Sequence, residues 1–275
     1  MHELDYAYHY ANYARIIGVG NDESELYVQH KAQEMHILHV HDVLRDEQVK
    51  SIALTQSLKE PQAQYFTRFG VGRRVGMLWS ALRSIKEIVA VGRTDPLSSD
   101  DVKTVSRDLN TIYINIVGTI DNYAWCLLHE CGSTSVKALQ PNRVGLFAPV
   151  FIQDACFAAL RAALEQYKVW FIELRSRRDP AAHRIPLSVP PSHLTPEEGR
   201  RYQAIDKEIG ETIPKADFAR VNQLWEEQEK LGVFVPKFLH HPEEPLVPFY
   251  PTIPQDLAYL LRVSATVREF LAGLQ

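Results

Sequence analysis

The residues best suited to chemistry fall in one short run, Glu173 to Arg184. It places Arg175, Arg177, Arg178 and Arg184 around Asp179 and His183. Arginine is a fixed planar cation that grips phosphate with paired N–H groups. Histidine exchanges a proton near neutral pH. The combination suits phosphodiester cleavage. An imidazole takes the proton of a 2′-hydroxyl or returns one to the leaving oxygen, and a guanidinium stabilises charge developing on the phosphoryl group. Such chemistry needs no metal. A plainer role also fits these residues: arginines favoured by the dipole at a helix C-terminus, and a surface histidine.

The stretch Arg178-Asp179-Pro180-Ala181-Ala182-His183 resembles the Arg-x(4–6)-His signature of the HEPN superfamily, in its common form Arg-Asn/Asp-x-x-x-His. The resemblance covers about residues 65–190 and leaves out the chain after 195. It implies a small helical bundle and a metal-independent endoribonuclease with no cofactor. Such proteins are often toxins or defence effectors, here with a cognate antitoxin as a possible partner. It also implies a homodimer in which two motifs form one site on RNA. Other members of the superfamily only bind, so a non-catalytic module for a nucleotide, RNA or protein partner is the alternative. On this resemblance Arg178 holds the scissile phosphate and His183 is the general acid or base. Asp179 and Asp121 orient them, Arg175, Arg177 and Arg184 hold flanking phosphates, and Asn122 contacts substrate. The expected product ends in a 2′,3′-cyclic phosphate.

Asp121 and Asn122 interrupt an apolar run, with His129 two turns further on, so Asp121 and His129 share a helix face. A buried hydrogen-bonding pair is the competing reading. His36, His39 and His41, the group Cys126, His129 and Cys131, and the pair His240–His241 lack the paired spacing of a structural zinc site. No metal is expected. Gly70-Val-Gly72-Arg-Arg-Val-Gly76 departs from both nucleotide-loop spacings and follows no strand. Its glycines suit close helix packing, and Arg73 and Arg74 extend a basic surface. No G-x-S-x-G elbow is present. Trp125, Trp170 and Phe171 read as core rather than as a base-stacking platform.

The elements that must position these residues are helical. Residues 24–58 show broken periodicity, read as one or two short helices. From Tyr65 to Val91 apolar residues recur at helical spacing, stopped by Gly92 and Pro96. Ser98 or Ser99, followed by Asp100 and Asp101, starts a second long helix to about Glu130, closed by Gly132. Pro149 opens a third, roughly 150–177, which Pro180 ends or kinks near Arg178. A proline-rich loop precedes Thr195-Pro196-Glu197-Glu198, a capped helix start. Helices follow at about 196–209, 215–231 and 254–273, with a proline-rich surface loop over 236–254. These elements predict an all-α, up-and-down bundle of antiparallel helices in a single domain, with a core at about 61–190 and a helical extension at about 195–275.

Composition supports this reading. Hydrophobic residues are 45% of the chain, enough for a packed core, and the net charge of −4 confines polyanion binding to a local patch. Three cysteines without regular spacing argue against a disulfide scaffold. The most apolar run, Thr111–Leu128, is broken by Asn115, Asp121 and Asn122, so no membrane span is expected. The N-terminus does not read as a signal peptide. A cytoplasmic protein is expected.

Overall fold

The computed structural model describes residues 2–241 and 243–274. Helix α1 (Tyr6–Ile17) leads to α2, which runs without a break from Asp22 to Ser57. Asn21 and Ser24 form a reciprocal cap at its start, and Asp22, Glu23 and Glu25 face the positive end of its dipole. One 36-residue helix therefore replaces the one or two short helices expected here. Its periodicity was masked because the buried line contains His36, His41, Glu47 and Ser51 beside Val28, Val40 and Leu44.

The next helical rod consists of α3 (Pro61–Tyr65), a π-helical turn at Phe66–Val71, and α4 (Gly72–Ile88). Helix α5 (Ser99–Cys131) follows, with the Ser98 hydroxyl accepting from the Asp101 N–H. It contributes more buried residues than any other helix, among them Ile112, Tyr113, Ile116, Ile120, Tyr123 and Leu127. Helices α2, α4 and α5 pack side by side.

The expected third long helix is instead a chain of short pieces. Helices α6 (Thr134–Lys137), α7 (Pro149–Ile152) and α8 (Ala158–Leu164) precede α9 (Lys168–His183). Asp154 causes one of the breaks. Its carboxylate accepts from the Cys156 N–H and the Ser133 hydroxyl, which caps a new turn instead of continuing the old one. Nor does Pro180 end α9, which runs through it to His183. Proline lacks only the one N–H that would reach the Ser176 carbonyl, and Arg184, with φ −139°, closes the helix.

Beyond the bundle, α10 (Pro196–Thr212) and α11 (Phe218–Glu229) form a hairpin with a small core of its own, Ile205, Ile209, Val221, Leu224 and Leu231. The box of Thr195 with Glu198 caps α10 as expected. The 236–254 segment is more than a surface loop. Strands β1 (Lys237–Phe238) and β2 (Val247–Pro248) pair antiparallel, and Phe238, Phe249 and Tyr250 are buried. Pro242 within it lies outside the described residues. Helix α12 (Thr252–Ala272) then packs on α2, α5 and α8. One continuous core reaches from Leu4 to Leu271, so α2 and α12 contribute to it along with residues 61–190.

The fold is all-α. Among the described residues no helix is long and apolar enough to cross a membrane. Two buried carboxylates tie the layers together. Glu47 on α2 accepts from Tyr123 of α5 and pairs with Arg268 of α12. Asp256 on α12 accepts from Tyr113 of α5 (3.0 Å), Trp170 of α9 (3.0 Å) and Arg177 of α9 (2.9 Å).

Candidate functional site

Helix α9 lies along α5 and presents Arg175 and Arg178 to Asp121. The segment from Pro141 to Pro149 closes the other side, leaving a cavity of about 490 Å³. Asp121, Arg175, Arg178 and Asn142 are its polar lining, and Trp125, Phe147 and Phe171 its aromatic lining. Phe147 and Phe171 stack on each other at 4.3 Å between ring centres. Trp125 stacks on Phe66 of the π turn at 5.4 Å.

The charges are arranged around Asp121. Burial raises its carboxyl above the ordinary range, opposed by Arg178, Arg175 and Arg74. Among the described residues it has no hydrogen bond or direct ion pair, so these arginines act on it through charge alone. Arg178 reaches the Asp179 carboxylate through Nη1 at 3.0 Å, and among the described residues its Nε has no partner. Arg175 holds the other oxygen of Asp179 through Nε and Nη2, at 3.0 and 2.7 Å. Burial raises the Asp179 carboxyl, but the hydrogen bonds and charges of Arg175 and Arg178 outweigh it and hold the group below its usual value.

Arg74 comes from α4. Its Nη1 donates to Asn115 at 2.9 Å, and its guanidinium lies over Gly118, where a β-carbon would stand 2.4 Å from Cζ. Burial lowers its pKa, offset by Asp121. Of these charged groups Arg175, Arg178 and Asp121 line the cavity, whereas Arg74 and Asp179 act on them from outside its lining.

The structure divides the remaining candidates. Arg177 points away from the cavity to the buried Asp256, with its guanidinium 6.0 Å from the Tyr113 ring centre. The flanking-phosphate role expected of it is thereby corrected to a structural one. Asn122 donates to the Gly118 carbonyl and packs against Gly70, so it faces the π turn and not the cavity. Arg184 is exposed beyond the helix end. His183 is exposed in the last turn of α9, outside the cavity lining, and among the described residues it has no hydrogen bond or ion pair. It stands five positions after Arg178, which on an α-helix is roughly 140° of rotation. One chain therefore does not bring Arg178 and His183 to a common point.

His129 stacks on Phe66 at 5.6 Å instead of joining Asp121. The glycine run 70–76 does serve close packing, at Gly70 against Asn122. Trp170 is core, as read from sequence, but Trp125 and Phe171 are half-buried and line the cavity. Sequence reasoning also missed Asn142, for which a proline-flanked loop is no signal. Among the described residues no group of His, Cys, Asp and Glu is arranged to hold a metal ion.

No protein-family model, curated protein or solved structure matches this chain.

Proposed function

We propose that the protein binds RNA at the cavity lined by Arg175 and Arg178 and cleaves it without a metal, as an HEPN-like endoribonuclease working as a homodimer. The carrying observation is that two guanidinium groups, Arg175 and Arg178, line one cavity while the chain as a whole is acidic. Such a pair suits a local phosphate site. Among the described residues Arg178 Nη2 has no hydrogen-bond partner, which leaves it available to a phosphate oxygen. His183 supplies the proton transfer. Because it stands about 140° from Arg178 around α9, the two meet on one phosphate only when a second copy supplies one of them. Val169 and Ile172 support that arrangement. They are 71% and 69% exposed on α9, on the same face as His183 by helical spacing.

The test is RNA cleavage by the purified full chain in EDTA, beside His183→Ala and Arg178→Ala. Cleavage that disappears in both folded variants supports the reading, and the product should carry a 2′,3′-cyclic phosphate. Wild-type cleavage that survives in His183→Ala refutes it.

The second reading is a non-catalytic binding module. It is favoured by Asp179, which holds both Arg175 and Arg178, and by the distance of His183 from the cavity. Folded protein that binds RNA but never cleaves it selects this reading.

A further inference from the structure

We propose that the cavity between α5, α9 and the 141–149 segment is a guanine pocket, in which Asp121 reads the base and Arg175 and Arg178 hold its phosphate. The inference rests on the phosphate-binding part of the function proposed above, and it adds the identity of the base.

The argument starts from Asp121. A carboxylate set into a cavity normally has hydrogen-bond donors. Among the described residues this one has none, although three arginines act on it electrostatically. Its two oxygens call for a pair of adjacent N–H donors from a ligand. Guanine offers that pair, at N1 and at the 2-amino group, in one plane and on one edge. Adenine and cytosine offer a single amino group on the corresponding edge. Uracil offers one N–H between two carbonyl oxygens, which a carboxylate repels. The arrangement therefore selects guanine by hydrogen bonding and disfavours uracil by charge.

The walls suit a flat ring. Trp125 lines one part of the cavity, backed by Phe66, and the stacked pair of Phe147 and Phe171 lines another. Base–aromatic stacking tolerates any base, so the walls supply affinity and Asp121 supplies choice. At about 490 Å³ the cavity has the size of a small-molecule site. Arg175 and Arg178 stand beside Asp121 in the same lining, so a nucleotide places its anion on them while its base meets the carboxylate.

The experiment is equilibrium binding to the full chain in EDTA, by calorimetry. The probes are 5′-GMP, 5′-AMP and two single-stranded RNA tetramers, one containing a single G and one containing A in its place. One bidentate base contact is worth about tenfold or more in discrimination. We expect 5′-GMP to bind at least about tenfold more tightly than 5′-AMP. Asp121→Asn, close to isosteric, should remove that preference while binding of inorganic phosphate persists. Trp125→Leu should weaken both nucleotides alike and keep the preference. Thermal melts establish that each variant is folded. A preference shown by the G tetramer beyond that of 5′-GMP assigns the pocket to RNA, and equal preference assigns it to free guanine nucleotides. Equal affinity for 5′-GMP and 5′-AMP, or no binding of either at millimolar concentration, overturns the proposal. The two proposals fail separately. Cleavage without base preference removes the guanine pocket alone, and guanine-selective binding without cleavage removes the nuclease alone.

Discussion

Replacing Asp256 with alanine tests how the candidate site is held. The carboxylate is 5% exposed and accepts from Tyr113, Trp170 and Arg177, joining α5, α9 and α12 at one point. Removing one partner of a buried ion pair costs about 3–5 kcal/mol, because the other charge stays behind. Arg177 retains only 20% of its side-chain exposure, so water reaches it poorly. The phenol and indole donors each lose an acceptor as well, at about 1–3 kcal/mol before relaxation. Allowing for repacking around the smaller side chain, the sum is roughly 4–6 kcal/mol, a large share of the total stability of a domain. At about 2–4 °C per kcal/mol for a chain of this size, the melting temperature should fall by on the order of 10–20 °C. Circular dichroism melts at neutral pH measure it. Asp256→Asn keeps one acceptor oxygen and should fall between wild type and alanine. The pair Arg177→Met with Asp256→Leu removes both charges and should recover most of the loss. If Asp256→Ala melts within about 3 °C of wild type, the three-helix tie is wrong. Arg177 would then be free for a role at the site.

His36 gives a pH signature. Burial, chiefly, pushes its pKa down to about 4, with Nε2 against the Leu4 carbonyl and His9, His39 and Asp5 as charged neighbours. The folded value lies below the unfolded one near 6.5, so its stability contribution is full above about pH 6.5 and fades as the pH drops towards 4. The loss is at most roughly 3 kcal/mol. His36→Gln keeps a donor for Leu4 and should flatten that slope in denaturant titrations, and an unchanged slope would refute the assignment. Gly70→Ala places a β-carbon 2.2 Å from Asn122 Oδ1 and 2.9 Å from its Cβ. It should destabilise by about 1–3 kcal/mol. Asn122→Ala in the same chain should restore part of that in thermal melts, and no restoration would place the clash elsewhere.

Where cap and stripe agreed, the fold was legible. Ser98 before Asp100 and Asp101, and Thr195 with Glu198, mark the starts of α5 and α10 because their signals lie within four residues. Helix α2 was hidden because burial there includes polar side chains, each satisfied by a distant element. Glu47 needs Arg268, more than 200 residues away, and no local pattern announces it. The breaks before α9 were equally hidden. The apolar spacing of 150–177 persists through them, while Asp154 takes its donors from Ser133 and Ser135 across the fold. At the site, the run of arginines was visible but their directions were not. Arg177 and Arg178 are adjacent in sequence, yet one enters the core at Asp256 and the other lines the cavity.

That divergence also constrains the chemistry. Successive residues on an α-helix turn by about 100°, so one helix serves one site with residues three or four apart and not with residues five apart. Because α9 stays helical through Pro180, the spacing from Arg178 to His183 cannot close on a single phosphate within one chain. A break at Pro180 would have let the two side chains fold together. An unbroken helix gives them separate work unless a second surface meets it. Arg178 already belongs to a built cavity with Asp121, Arg175 and the 141–149 wall, whereas His183 is exposed and, among the described residues, has no partner to orient its ring. On the proposed function, binding would depend on groups that one chain already assembles, and catalysis on a contact with a second copy. Measured against protein concentration, nucleotide affinity should stay constant, whereas the specific rate of cleavage should rise as dimers form.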